Sequence, residues 1–113
     1  MVCIFCKIVA GEIPANIVYK NDRVTAFTDL NPQAPTHILV IPNQHIGSVD
    51  DIVNDEMADA VAACLSAASE IAQAQSLTGG YRLVTNTGPD AGQSVPHLHF
   101  HLLAGRVITW PPG

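Results

Sequence analysis

His97-Leu98-His99-Phe100-His101-Leu102-Leu103 alternates imidazoles with apolar side chains. A strand sends successive side chains to opposite faces, so the pattern predicts a strand over His97–Leu103. Its three histidines share one face, about 6.5–7 Å apart. Leu98, Phe100 and Leu102 share the other and are free to pack beneath a helix. Packing alone does not call for three imidazoles in a row. Histidine is intermediate in burial, and its ordinary pKa of about 6.5 suits proton transfer or metal ligation.

The helix that such a face needs lies upstream. Met57, Val61, Leu65, Ala68 and Ile71-Ala72 recur at 3-to-4 spacing and predict a helix over 55–75 with these residues inward. Asn54 supplies an N-cap, Asp55 and Glu56 suit the first turn, and Thr78-Gly79-Gly80 ends the helix. Residues 3–10 predict a short N-terminal helix stopped by Gly11 and Pro14. Ile17–Lys20 and Arg23–Thr28 predict a hairpin turning on Asn21-Asp22. After a proline-rich loop at 31–35, His37–Ile41 predicts a buried strand closed by Pro42. Tyr81–Thr85 is a further strand, and 86–96 is a loop of glycine, proline and small polar residues. About five strands with hairpin-type links and one long helix give an α+β domain with a mainly antiparallel sheet. Its terminal strands are expected as edges, and an exposed edge or apolar helix face favours a twofold homodimer.

The 113 residues fit a single domain, 1–113, and 48% hydrophobic content supports one core. A net charge of -5 with five Lys and Arg lacks the basic stripe of a nucleic-acid groove. A single mononucleotide remains compatible, because backbone amides, histidines and hydroxyls can hold it. No stretch reaches the ~18 apolar residues of a membrane span. No basic region followed by an apolar run opens the chain. The three cysteines form no obvious structural pairing, which favours a reducing, cytoplasmic setting.

Three readings of the histidine run are open: a solvated polar edge, a three-histidine metal site, and phosphoryl chemistry in which one imidazole attacks phosphorus. The loop before it favours the third. Gly88, Gly92, Gln93 and Ser94 lead straight into the run; glycines admit a phosphate close to the backbone, and Ser94 and Asn86 offer donors.

The run also resembles the histidine triad motif, His-φ-His-φ-His-φ-φ with φ apolar. The resemblance extends along nearly the whole chain, through Ile4-Phe5, Glu12-Ile13-Pro14, Phe27-Thr28-Asp29, Pro32–His37, Val40-Ile41-Pro42, Asn86-Thr87-Gly88 and Gly92-Gln93-Ser94. With Ser94, the closing Trp110-Pro111-Pro112-Gly113 is similar to the Hint-type purine nucleoside phosphoramidase branch rather than the dinucleoside-polyphosphate hydrolases. The resemblance implies that His99 attacks the α-phosphorus of a purine nucleotide conjugate and forms a nucleotidyl-histidine intermediate, without a catalytic metal. It implies that His101 and His37 orient His99, and that Ser94, Gln93 and Asn86 contact phosphate and leaving amine. Asp29 would bind the ribose hydroxyls, Phe5, Ile8, Ile13 and Leu30 would form the purine slot, and Trp110 would reach a partner subunit's site. Without the resemblance, those apolar residues read as ordinary core and Asp29 as a turn residue. Pro96 departs from the branch, which often has a larger residue there; proline removes a backbone donor beside the leaving group.

Cys3-x-x-Cys6 has the spacing of half a zinc site. With His37, His99 and His101 assigned to catalysis, His45 and His97 are left to complete a Cys₂His₂ set, and bacterial members of the family often carry such a structural zinc. Two unmetallated thiols are the alternative, as in the many members of the branch without the pair. A dinucleoside-polyphosphate hydrolase or nucleotidyl transferase, and a non-catalytic nucleotide-binding regulatory dimer, are the competing functions.

Overall fold

The computed structural model describes residues 2–113. In chain order the elements are α1 (Ile4–Val9), β1 (Ile17–Lys20), β2 (Val24–Thr28), β3 (Thr36–Pro42), a 3₁₀ turn (Val49–Asp51), α2 (Asp55–Ala74), β4 (Arg82–Val84) and β5 (Phe100–Ala104). The strands form one sheet in the order β1-β2-β3-β5-β4, every neighbouring pair antiparallel. This is the expected α+β architecture. No helix among the described residues is long and apolar enough to cross a membrane.

The sheet separates two clusters. Val24, Ala26, Ile38, Val40, Leu98, Phe100 and Leu102 face α2, where they meet Ala60, Cys64, Ala67, Ala68 and Ile71. Phe27, Leu39 and Ile41 face the other way and pack on Cys3, Phe5 and Ile8 from α1. The alternation in 97–102 therefore does what the pleat requires: its apolar members feed the α2 side.

Several expectations need correction. The histidine strand begins at Phe100, so His97, Leu98 and His99 precede the ladder, although their backbone still sends Leu98 to the α2 side. Main-chain bonds explain this: Leu98 N–H goes to Ile46 C=O at 2.6 Å and His97 N–H to Val95 C=O at 2.9 Å, outside the sheet. The strand also lies inside the sheet and is not an edge; β1 and β4 are the edges. The hairpin turns on Asp22-Arg23, one residue later than Asn21-Asp22. Asn21 Oδ1 accepts from the Arg23 and Val24 amides, and Asn21 N–H reaches Val24 C=O, so the side chain builds the turn.

On α2 the Asn54 cap forms as expected, its Oδ1 accepting from Met57 N–H at 2.9 Å. The inward face differs. Leu65 is 46% exposed, while Ala60, Cys64, Ala67, Ala68 and Ile71 are buried. At about 100° per residue, Leu65 lies roughly 100° from the centre of that stripe. The sheet approaches the helix where side chains are small, whereas a reading weighted toward bulk points elsewhere. The helix also closes earlier than Thr78-Gly79-Gly80. Ser76 takes a left-handed φ of 55° and Leu77 N–H returns to Ala72 C=O. After β5, Gly105 has φ 92°, and a Cβ there would meet Pro35 Cβ at 2.8 Å, so glycine lets the chain pass the loop that precedes β3.

Candidate active site and metal centre

Pairing of β3 with β5 sets Leu39 opposite His101 and His37 opposite Leu103. His37 and His101 thus share the α1 face of the sheet one step apart, and their rings meet with Nε2 to Nδ1 at 2.8 Å. The direction of that bond is fixed from outside. The Gln33 backbone N–H donates to His37 Nδ1 at 3.0 Å, which makes that nitrogen the acceptor and puts the proton on Nε2. His37 Nε2–H then donates to His101 Nδ1, and His101 keeps its own proton on Nε2.

His99 is oriented separately. Its Nδ1–H donates to the main-chain carbonyl of His97 at 2.7 Å, so Nε2 carries the free lone pair. The His99 ring stands 5.1 Å from that of His101 and meets Phe5 edge-on at 5.2 Å. Its own carbonyl accepts from Thr85 Oγ1 at 2.9 Å. The arrangement presents one unprotonated imidazole nitrogen beside a second imidazole that holds a donor proton.

Burial lowers the proton affinity of both His37 and His101. Neighbouring imidazoles lower His101 further, and Asp29, whose Oδ2 lies 3.5 Å from His37 Nε2, opposes the shift in each. The pair is thereby kept neutral, the state that the hydrogen-bond chain requires.

The other expected site residues fall into two groups. Phe5 and Ile8 are buried and Ile13 is half-buried, all in the α1-side cluster, of which Phe5 is the member that meets His99. Asp29 is half-buried, and its Oδ1 accepts from Asn31 N–H at 2.8 Å, so it makes the turn while standing beside His37. Asn86 is half-buried and Ser94 exposed in the 86–96 loop. Gln93 braces that loop: Oε1 accepts from Gly88 N–H, and Nε2 donates to the carbonyls of Gly47 and Val95. Leu30 is fully exposed and touches no cluster. Trp110 is 81% exposed on a tail that Arg82 holds through the Thr109 carbonyl. A hollow of about 660 Å³ between the 76–82 turn and Leu103–Ile108 contains none of the histidines. Chemistry rather than volume marks the site.

His97 has a different role from the other two. It is fully buried, and its Nε2–H donates to Pro42 C=O at 2.9 Å, which turns Nδ1 and its lone pair toward the cysteines. That Nδ1 is 3.3 Å from Cys3 Sγ and 3.6 Å from Cys6 Sγ; His45 Nδ1 is 3.3 Å from Cys6 Sγ. All four donor atoms lie within 4.8 Å of one another. In a tetrahedral zinc site with ordinary bond lengths, sulfur and nitrogen ligands sit about 3.5 Å apart. The donor set therefore fits zinc in type, number and spacing. Burial keeps His97 neutral, and burial together with the adjacent Cys3 raises the Cys6 thiol pKa, a pairing that a divalent cation would relieve.

The residues that sequence reasoning did not name are mostly backbone: Gln33 N–H, Pro42 C=O, Ile46 C=O and His97 C=O. Thr85 is the side chain among them, and at the end of the expected Tyr81–Thr85 strand nothing in the sequence marks its hydroxyl as the donor to the His99 carbonyl.

Comparison with known proteins agrees with this geometry. Residues 10–108 match the HIT domain family model. The purine nucleoside phosphoramidase of Escherichia coli K12 is 50% identical over 106 residues, covering 93% of this chain and 88% of that protein. A 14 kDa zinc-binding protein of Zea mays is 46% identical over 111 residues, covering 97% and 87% respectively. Among solved structures, a HIT family hydrolase from Legionella pneumophila superposes with a TM-score of 0.94 at 50% identity, covering 99% of this chain and all of that one. The chain belongs to the HIT, or histidine triad, family.

The depressed histidines make a sign-specific prediction. Folded His37 and His101 bind protons less readily than the ordinary 6.5 of the unfolded chain. As pH falls through that value the unfolded state takes up protons first, so their contribution to stability is full above it and is lost progressively below. Denaturant titrations should show stability falling as pH drops below 6.5, and a His101→Gln variant should show a shallower fall. An equal slope in both proteins would contradict the assignment.

Proposed function

We propose that this HIT-family hydrolase cleaves the P–N bond of purine nucleoside phosphoramidates, with His99 as nucleophile. The observation that carries the reading is the 2.7 Å bond from His99 Nδ1–H to the His97 carbonyl, which leaves Nε2 free to attack. A phosphoramidase relative at 50% identity supports the substrate class.

In this mechanism Nε2 of His99 attacks the α-phosphorus and the bond from phosphorus to the amine breaks. The amine nitrogen takes a proton from solvent as it leaves. Water then attacks the nucleotidyl-histidine, gives up a proton to solvent, and releases the mononucleotide with His99 restored. The His97 carbonyl stabilises the imidazolium character that develops on the ring, because a hydrogen bond to a charged donor is about twice as strong as a neutral one. His101 Nε2–H is the donor for the phosphoryl oxygens or the leaving amine, and His37 holds it in that tautomer. Ser94 and Asn86 contact the phosphate, and Gln93 shapes the loop that presents them. Asp29 takes the ribose hydroxyls as a two-bond acceptor. Phe5, Ile8 and Ile13 line the base slot, with Leu30 at its solvent margin.

The working unit in this reading is a homodimer, in which Trp110 completes the site of a second copy. Its exposure on the tail and the free edge of β4 support that arrangement. Cys3, Cys6, His45 and His97 hold a structural zinc. With four protein ligands such an ion cross-links the fold and leaves no open position for water.

Two outcomes test the proposal. His99→Asn should lower kcat on an AMP–amine substrate by roughly 10⁴-fold or more while mononucleotide binding, measured by calorimetry, persists. Wild-type protein should prefer that substrate to diadenosine polyphosphates. Retained turnover in the variant, or the reverse preference, would refute the assignment. Protein purified without chelator should carry one zinc per chain, and Cys3→Ser with Cys6→Ser should carry none. Substoichiometric zinc in the native protein, or zinc that survives the double change, would remove the metal from the account.

A further inference from the structure

The carbonyl that orients His99 belongs to the peptide between His97 and Leu98. That peptide lies ahead of β5, where no ladder bond holds it. Its C=O accepts from His99 Nδ1 at 2.7 Å, and its N–H donates to Ile46 C=O at 2.6 Å. Each end is adjacent to a member of the Cys₂His₂ cluster. His97 contributes the carbonyl itself, and Ile46 follows His45 directly.

The cysteines reach His99 by a second route. Phe5 stands between Cys3 and Cys6 on α1 and packs edge-on against His99 at 5.2 Å and His97 at 5.8 Å. Three groups thus surround the 97–98 peptide that supports the nucleophile: the Ile46 carbonyl, the Phe5 ring and the cluster that joins their chain segments.

We propose that the Cys3, Cys6, His45 and His97 cluster, when it holds its metal, clamps the 97–98 peptide and the Phe5 ring, and so positions His99 with its proton on Nδ1. Cys3, Cys6 and His45 are then positioning residues for the reaction, though none of them touches substrate. The inference rests on the reading of His99 as nucleophile and of the cluster as a zinc site. Joined by a metal, the 3–6, 45–46 and 97–98 segments move as one. Without it, the 97–98 peptide keeps its bonds to Ile46 and His99 and the Pro42 anchor of the His97 ring, but the exposed His45 side chain is held to the rest only by its 3.3 Å contact with Cys6 Sγ. A more loosely held peptide spends part of its time with the carbonyl turned off Nδ1, and the His99 proton then divides between the two ring nitrogens. Only molecules with Nε2 unprotonated can attack.

The cluster is reachable for a test. A hollow of about 360 Å³ lined by Val2, Cys3, Cys6, Lys7, Glu12 and His45 opens over it. Three full-length proteins are compared at one fixed pH: wild type stripped by chelator and then reloaded with zinc, His45→Gln, and His45→Cys, which retains four donors. Ring-nitrogen NMR reports the His99 tautomer, steady-state kinetics separate kcat from KM, and circular dichroism confirms the fold. Stripped wild type and His45→Gln should stay folded, lose about 10–100-fold in kcat at little-changed KM, and show His99 as a mixture of tautomers. Zinc reloading and His45→Cys should restore both the rate and the Nδ1–H form.

A purely structural cluster would lower the melting temperature without moving the tautomer or kcat below it. A folded, metal-free protein with unchanged kcat and His99 still protonated on Nδ1 would overturn the proposal. So would unfolding of every metal-free form, which would make the cluster a support of the whole fold, or native protein without metal. The tautomer is read without turnover, so a failure of His99 as nucleophile, seen as retained rate in His99→Asn, is distinguishable from a failure of the clamp.

Discussion

An imidazole attacks through one ring nitrogen only while the other keeps the proton. In this chain that condition is met at a single bond, from His99 Nδ1–H to the carbonyl of His97. Much of the surrounding structure serves to aim that carbonyl. His97 is pinned through Nε2–H to Pro42 at the end of β3, and the next amide is tied to Ile46. The second imidazole is set by the same logic in reverse. A backbone N–H from Gln33 fixes His37, and His37 in turn fixes His101. One histidine is locked by an acceptor and one by a donor, so they present a lone pair and a proton side by side.

The sheet makes this possible by keeping two environments apart. The α2 side is an apolar cluster in which Leu98, Phe100 and Leu102 bury their side chains against a stripe of alanines and Cys64, whose thiol burial pushes up to about 12. Burial of that kind stabilises each large aliphatic or aromatic group by about 1.5–3 kcal/mol. It holds the histidine segment down while leaving its other face to chemistry. On the α1 side His97 and His99 meet Phe5, which in turn packs on Phe27, and among the described residues no buried side-chain polar atom lacks a hydrogen-bond partner. Burial lowers the proton affinity of His37, His97 and His101, while each imidazole keeps at least one ring nitrogen hydrogen-bonded and His99 Nε2 stays free.

What the sequence disclosed follows from what side chains can encode. The alternation of His97–Leu102, the Asn54 cap and the Cys3/Cys6 spacing are written in side-chain chemistry, and the structure places them accordingly. Bulk misled the reading of α2, because close helix–sheet packing selects Ala60, Cys64 and Ala67 over Leu65. An alternating pattern records the pleat and not the ladder, so it sets the strand start at His97 where the ladder begins at Phe100. Residues 97–99 keep the pleat but bond to Ile46 and Val95. The groups that set the tautomers are peptide N–H and C=O, which every residue carries and which no pattern of letters can single out. Nor does the sequence reveal that Gln93 spends its amide on Gly47 and Val95, since that bond spans the fold.

The central claim is that His99 alone becomes covalently attached to the nucleotide. Rapid acid-free quenching of native protein during turnover of a purine nucleoside phosphoramidate, followed by intact-mass and peptide mapping, tests it most directly. A transient mass increase of one nucleotidyl group is expected, located on His99 itself by fragmentation of the peptide that carries all three histidines, and releasing mononucleotide as it decays. Turnover with no adduct at any time, or an adduct on His101 or His37, would contradict it.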